Sequence, residues 1–366
     1  MGQNLVVGSG ESSSRPPKGA AGAALIGGLT AALALVALSV RAHPPTTDVT
    51  WERDIAPIVQ QRCLGCHGAG GSSSLPLGSY ESARAAAVRI KHEVLERRMP
   101  PWPAAPGFGA FANDRSLSLV ETELLVAWVD GGAPKGQEVA GVPAFTLDED
   151  QSASPAPRDE QLVLMAPSAT PILGSTQTFE LATGLTHDAW ADAWEFRPGN
   201  RGAIEQAEIS IMGGSTIGLW VPPETRTRLP AGVAQRLPAG SRISLRIAYR
   251  KSRGPITDRS GVAFSLTAKP RRALRHQQLP CGTSRLPAAI EALAIRPAAA
   301  RSGVSVEVLA RRPDGAVDAL CLIRDYQLRY AVTYRFRQPI TMAAGTEVAL
   351  HSSEPGCGAD LEYVLR

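Results

Sequence analysis

Cys63, Cys66 and His67 lie within five residues of one another, as C-x-x-C-H in the stretch RCLGCHGAGG (62–71). On one helical turn, positions i and i+3 face the same way. Each thiol can then form a thioether with one haem vinyl group, while the adjacent imidazole turns a ring nitrogen to the iron. This spacing is the attachment signature of one covalent haem c. Related residues serve other chemistries. A dithiol redox pair needs a preceding strand and a βαβ context, which the chain lacks. A zinc site needs a second ligand pair at suitable spacing, and none follows.

The iron would need a sixth ligand from elsewhere. Met99 sits in RRMPPW (97–102), where two prolines fix the backbone just after it. A thioether opposite an imidazole raises the potential and closes both axial positions, which suits electron transfer. His92 is the rival ligand, an open position is the third case, and Met99 could also be a gap-filling core residue.

Three elements must hold these groups. TWERDIAPIVQQRC places Ile55, Ile58, Val59 and Cys63 at helical spacing, with Thr50 as N-cap. SYESARAAAVRIKHEVLERR reads as a second helix, stopped by Pro100 and Pro101. SLVETELLVAWVDGGAP is a third, with Ser118 and Glu121 as a capping box and Gly131 and Gly132 at its end. Residues 51–135 are therefore expected to form a small all-α domain. They resemble a small bacterial cytochrome c domain, on WERDIAPIVQQRCLGCH, VLERRMPPW and NDRSLSLVETELLVAWVDGGAP. The resemblance implies Met99 as distal ligand. Trp102 and Trp128 would then pack around the haem, unless they are plain core aromatics.

Ahead of this region, 22 uncharged residues lie between Lys18 and Arg41, long enough as a helix to span roughly 33 Å, about one bilayer core. With Arg15 and Lys18 before it, a cytoplasmic tail at 1–18 and a membrane anchor or signal segment at 19–41 are expected. A cleaved signal peptide stays open, with VRA at 40–42 as the cleavage site. Both readings export the rest of the chain to the periplasmic side, where disulfides persist. Membrane contact through the N-terminal helix and a redox partner protein are the expected partners. A net charge of +4 gives no case for nucleic acid.

Residues 136–160 are acidic and rich in Ser and Pro, and read as a linker. Beyond it the period changes to two. SRISLRIAY alternates, with Ile243, Leu245, Ile247 and Tyr249 on one face. VSVEVLARRPDG does the same before a turn at Asp314–Gly315. AEISIM, VAFSL, YAVTYRF, TEVALHS and LEYVL add short strands. Two antiparallel, jelly-roll-like β-sandwiches are expected, at 161–268 and 269–366, with a seam near 268–285.

This half resembles the copper type II ascorbate-dependent monooxygenases, the family of the peptidylglycine hydroxylase. The resemblance rests on EFRPGNRGAIEQAEISI, LPAGSRISLRIAYR, VSVEVLARRPDG, YRFRQPITMAAGTEVAL and the closing EPGC. It implies two coppers, one on three histidines and one on two histidines and a methionine. Where those ligands belong stand Glu205 and Gln206, Ala248, Ala298 to Ala300, and Gly356. The remaining histidines of this half, His187, His276 and His351, are far apart in sequence. Copper is therefore not expected, and this half reads as a scaffold or partner-binding module. Cys357 matches a disulfide cysteine of the family; Cys281 and Cys321 are both open as its partner. Arginines crowd 226–275, either as a solvated face or as a dock for an acidic redox partner.

The sequence thus points to an exported haem carrier for one-electron transfer, not to an enzyme. A copper monooxygenase fed by its own haem, and a haem sensor or surface protein, are the alternatives.

Overall fold

The computed structural model describes residues 47–69, 71–137, 161–167, 170–172, 175–251 and 256–366. The chain enters through a π-helical turn, Trp51–Ile55, followed by α1 (Ala56–Arg62), α2 (Leu64–His67), α3 (Tyr80–Ala85), α4 (Ala87–Leu95) and α5 (Leu119–Asp130). The second expected helix is two, broken at Ala86, where ψ opens to 2°. At α5, Ser118 accepts from the Glu121 amide and Glu121 reaches back to the Ser118 amide, the capping box read from the sequence. Trp51, Ile55, Val59, Leu125 and Trp128 form a small apolar core between these helices.

Twelve strands make the first sandwich: β1 (Gln161–Met165), β2 (Thr170–Ile172), β3 (Thr176–Ala182), β4 (Ala189–Arg197), β5 (Ile204–Ile211), β6 (Thr216–Trp220), β7 (Arg226–Arg228), β8 (Val233–Leu237), β9 (Arg242–Tyr249), β10 (Ile256–Asp258), β11 (Gly261–Thr267) and β12 (Arg272–Ala273). One sheet runs β1-β11-β4-β8-β12 with β7 beside β4, the other runs β3-β9-β5-β6, and β2 and β10 pair as a separate two-stranded sheet. Ile243, Leu245, Ile247 and Tyr249 of β9 face a core shared with Trp194, Phe196, Trp220 and Phe264. Alternate side chains of both sheets meet there, as period-two strands require.

Eight more strands make the second sandwich: β13 (Arg275–Pro280), β14 (Gly282–Arg285), β15 (Ile290–Ala299), β16 (Val306–Arg311), β17 (Val317–Ile323), β18 (Tyr334–Met342), β19 (Glu347–Ser352) and β20 (Cys357–Leu365). The order is β13-β20-β15-β18 in one sheet and β14-β19-β16-β17 in the other.

Between α4 and α5 the chain leaves the helices and enters this second sandwich. Ala104 bridges Ile323 on the free side of β17, and Phe111 bridges Phe336 on the free side of β18. The Ala105 amide donates to Leu322 O (2.7 Å) and the Ala112 amide to Arg335 O (2.7 Å). Trp102 and Phe111 are buried in the sandwich core, Trp102 5.0 Å from the Tyr334 ring. This strap covers two strand edges that would otherwise expose unpaired backbone groups.

These findings correct the expected architecture. Strands dominate the described residues, and the longest α-helix has 12 residues. Residues Thr47–Arg366 form one compact unit, with no self-contained all-α cytochrome domain standing apart. The physical reason lies in the strap, whose large apolar side chains are buried between β-sheets and not between helices. No described helix is long and apolar enough to cross a membrane, so the membrane as a partner is not supported. The anchor expected at 19–41 and the tail at 1–18 lie outside the described residues, as does the linker from 138 onward.

Candidate haem attachment site

The C-x-x-C-H motif is placed by the α1–α2 junction. Cys63 ends α1, its amide donating to Val59 O (2.9 Å), and caps α2, its carbonyl accepting from the Cys66 (3.1 Å) and His67 (2.9 Å) amides. The two sulfurs therefore sit one turn apart, and both cysteines are free thiols. The chain then curls back under the motif. The Ser73 amide donates to Cys66 O (2.9 Å) and the Leu77 amide to His67 O (2.9 Å). Gly71 permits this return, since a Cβ there would lie 2.3 Å from Cys66 O.

His67 Nδ1 lies 2.7 Å from Leu75 O. A carbonyl only accepts, so Nδ1 carries the proton and the lone pair is left on Nε2. A ligating histidine is oriented in this way, by donating its other ring nitrogen to a carbonyl. Burial pushes the Cys63 thiol up to about 12, with Cys66 adding to the effect, so the thiol stays neutral. Two free thiols one helical turn apart and an imidazole with its Nε2 lone pair free are the donor set that covalent haem attachment needs.

Beside Cys63, Glu121 pairs with Arg62 (2.9 Å). Burial alone would raise the Glu121 pKa. The Ser118 amide and the Arg62 guanidinium outweigh it and hold the carboxyl below its usual range.

Met99 follows the last turn after α4, half-buried, its amide donating to Glu93 O (3.2 Å). His92 is exposed, and its Nδ1 accepts from Arg98 at 2.7 Å. That bond leaves the proton on Nε2, the wrong tautomer for a ligand through that nitrogen. Of the two tryptophans expected near the haem, Trp128 sits in the helical core, 5.8 Å from Trp51, with its indole N–H on Pro134 O. Trp102 is in the second sandwich, on the strap, because its sequence neighbours pair with β17 and β18.

The motif also touches the β half, which the sequence did not reveal. A Cβ at Gly65 would lie 2.2 Å from Pro223 Cβ. Pro223 belongs to a short loop that joins three parts of the molecule. Trp220 is buried in the first sandwich and Val221 in the core of the second. Glu224 stands 3.7 Å from Arg115 of the strap and 3.6 Å from Arg335 of β18.

The positions at which the resemblance implies copper ligands are brought together in two groups. Gln206 pairs with Ala248 across β5 and β9, next to Glu205, which is bonded to Arg329 at 2.9 Å. Ala299 pairs with Cys357 across β15 and β20, and Ala300 lies against Gly356. His187 bonds Thr186, His276 faces Gln235 (3.2 Å), and His351 pairs across to Glu307, so the three histidines stand on separate elements. Among the described residues no group of three or more His, Cys, Asp or Glu is placed to hold a metal ion, which corrects the expectation that this chain is metal-binding. Cys281 and Cys357 form a disulfide, while Cys321 is buried and free. Several of the crowded arginines have partners, as in Arg228–Asp192, Arg242–Glu180, Arg246–Glu208 and Arg272–Glu291.

No known protein family matches the chain, and no curated protein matches it. Among solved structures, the major capsid protein P2 of bacteriophage PM2 aligns over 56% of this chain and 97% of its own, at 12% identity and a TM-score of 0.29. A chain of Sulfolobus turreted icosahedral virus aligns over 58% of this chain and 95% of its own, at 14% identity and a TM-score of 0.14.

Proposed function

We propose that the chain is an exported one-electron carrier with a single haem c, and that its β half is a non-catalytic scaffold. Cys63 and Cys66 would hold the haem by thioethers, and His67 Nε2 and Met99 Sδ would ligate the iron. The haem supplies reversible exchange of one electron at iron. The chain's own residues hold and orient it. Leu75 O fixes the His67 tautomer, the α1–α2 junction spaces the sulfurs, and the apolar helical core behind Cys63 limits water. The observation that carries this reading is the 2.7 Å bond from His67 Nδ1 to Leu75 O, beside two free thiols one turn apart. Export is supported by the Cys281–Cys357 disulfide, a bond that persists in oxidising compartments.

The test is expression of the full chain together with a haem c maturation system. One covalent haem per chain by pyridine haemochrome and intact mass is expected. The Cys63→Ala/Cys66→Ala chain should carry none, and a chain lacking residues 1–42 made in the cytoplasm should also carry none. Covalent haem in the double variant would refute the attachment site. Met99→Ala should remove the sulfur–iron near-infrared band of the oxidised protein; loss of that band in His92→Ala alone would reassign the ligand.

A further inference from the structure

Arg201 opens a 3-10 turn, Arg201–Ala203, between β4 and β5. The Asn200 side chain caps this turn, accepting from the Ala203 amide. The Arg201 guanidinium is half-buried and lies 5.9 Å over the Trp220 ring. Trp220 is fully buried and donates its indole N–H to Glu224 O at 2.6 Å, which locks the platform beneath the cation.

The turn and the 220–224 loop form a lip around the haem attachment segment. On one side Pro223 presses on Gly65; on the other, a Cβ at Gly202 would lie 3.7 Å from Gly71 O. Cys66 and His67 lie between those two contacts in sequence. Burial lowers the Arg201 pKa, with Cys66 and Glu195 opposing. Glu195, the carboxylate whose charge acts on Arg201, is itself paired with Arg197 at 3.5 Å.

The structure assigns to Arg201 a function of its own: a fixed cation on the first-sandwich lip that stabilises the one-electron-reduced state of the group bound at Cys63, Cys66 and His67. This rests on the haem reading above. The physical basis is Coulombic. Reduction adds one negative charge at the iron, and a nearby positive charge lowers the energy of that state. A half-buried charge is screened less by salt than an exposed one. Net charge, hydrogen bonding and burial around a haem are the levers a protein has on its potential. The β half would then be part of the redox site, and not only its support.

The test is a potentiometric titration of the full-length, haem-loaded protein, with covalent haem first confirmed by pyridine haemochrome. Arg201→Gln should reduce the equilibrium constant for reduction by roughly tenfold, the order a unit charge exerts over about 10 Å at an effective dielectric near 20. Arg201→Lys should retain most of the wild-type value. Gly202→Glu, at an exposed turn position with room for a Cβ, should shift the constant the same way as Arg201→Gln, and more weakly at high salt. The Gly202 variant keeps the question decidable if loss of the Arg201–Trp220 contact unfolds the lip. Unchanged potentials in haem-loaded Arg201→Gln, or in Gly202→Glu where the first variant does not fold, would overturn the assignment. Absence of covalent haem from the wild-type chain would overturn the haem reading instead, before any potential is measured.

Discussion

The two sandwiches receive the helical segment in different ways. The second takes in a length of its chain: the strap lies along β17 and β18, and Trp102 and Phe111 become core residues. The first is touched at its lip, by Pro223 against Gly65, by the turn at Gly202 near Gly71 and by Arg115 of the strap, which donates to Pro222 O (3.0 Å). A contact made by inserted backbone and large aromatics is part of the fold. A contact made by two small residues at a surface can form or be lost without disturbing either core. That difference assigns stability to the second interface and leaves the first free for the role proposed for Arg201.

The largest effect should follow from Trp102→Ala. It removes a 7% exposed indole packed on Tyr334 and Phe111, and should cost about 3–5 kcal/mol in denaturant unfolding. A cost below ~1 kcal/mol would mean that the strap is not integral to the second sandwich. Next comes the Cys281–Cys357 disulfide, which closes 76 residues within that sandwich; Cys281→Ser/Cys357→Ser should lower stability by about 2–4 kcal/mol. Gly65→Ala should be milder, about 1–3 kcal/mol, because Pro223 can shift by moving a surface loop. If Gly65→Ala proves as damaging as Trp102→Ala, the distinction between the two interfaces collapses.

The smallest effects separate two glutamates by pH. Glu121, beside Cys63, has a folded pKa below its unfolded value. Its contribution to stability is present at neutral pH and is lost as pH falls through the folded pKa, below the usual carboxylate range. Glu121→Gln should therefore cost about 1 kcal/mol at neutral pH and almost nothing in acid. Glu362, on β20, is pushed up by burial, with His276 and Arg335 opposing. A raised carboxyl costs stability once pH exceeds its unfolded pKa, so Glu362→Gln should stabilise at neutral pH and lose that advantage in acid. Thermal unfolding of the two variants across pH 3–8 should give slopes of opposite sign relative to wild type. Parallel slopes would refute the assigned environments.

Much of the local structure was legible in the residues. Alternation at 242–249 is a property of neighbours in sequence, and β9 buries the face that it marks. The capping box at Ser118 and Glu121 is complete within four residues and forms as read. The C-x-x-C-H spacing likewise needs one helical turn, which α1 and α2 provide. Other features were not legible. SYESARAAAVRIKHEVLERR has continuous helical character, yet Ala86 leaves the helical region, and a short break of this kind has no sequence signal among alanines.

What the sequence by itself determined is therefore whatever depends on near neighbours: the turn that spaces Cys63, Cys66 and His67, the strand faces, and the capping box at Ser118 and Glu121, whereas Thr50 makes no side-chain cap. The tertiary structure alone decided which distant groups meet. It took Trp102 from the helices into the second sandwich, chose Cys281 over Cys321 as partner of Cys357, and set Pro223 and Gly202 beside the C-x-x-C-H segment. The reason is that such pairings depend on where whole sheets come to rest after their cores are buried. A tryptophan in a proline-rich strap, or one cysteine of three, carries no local preference for one partner over another.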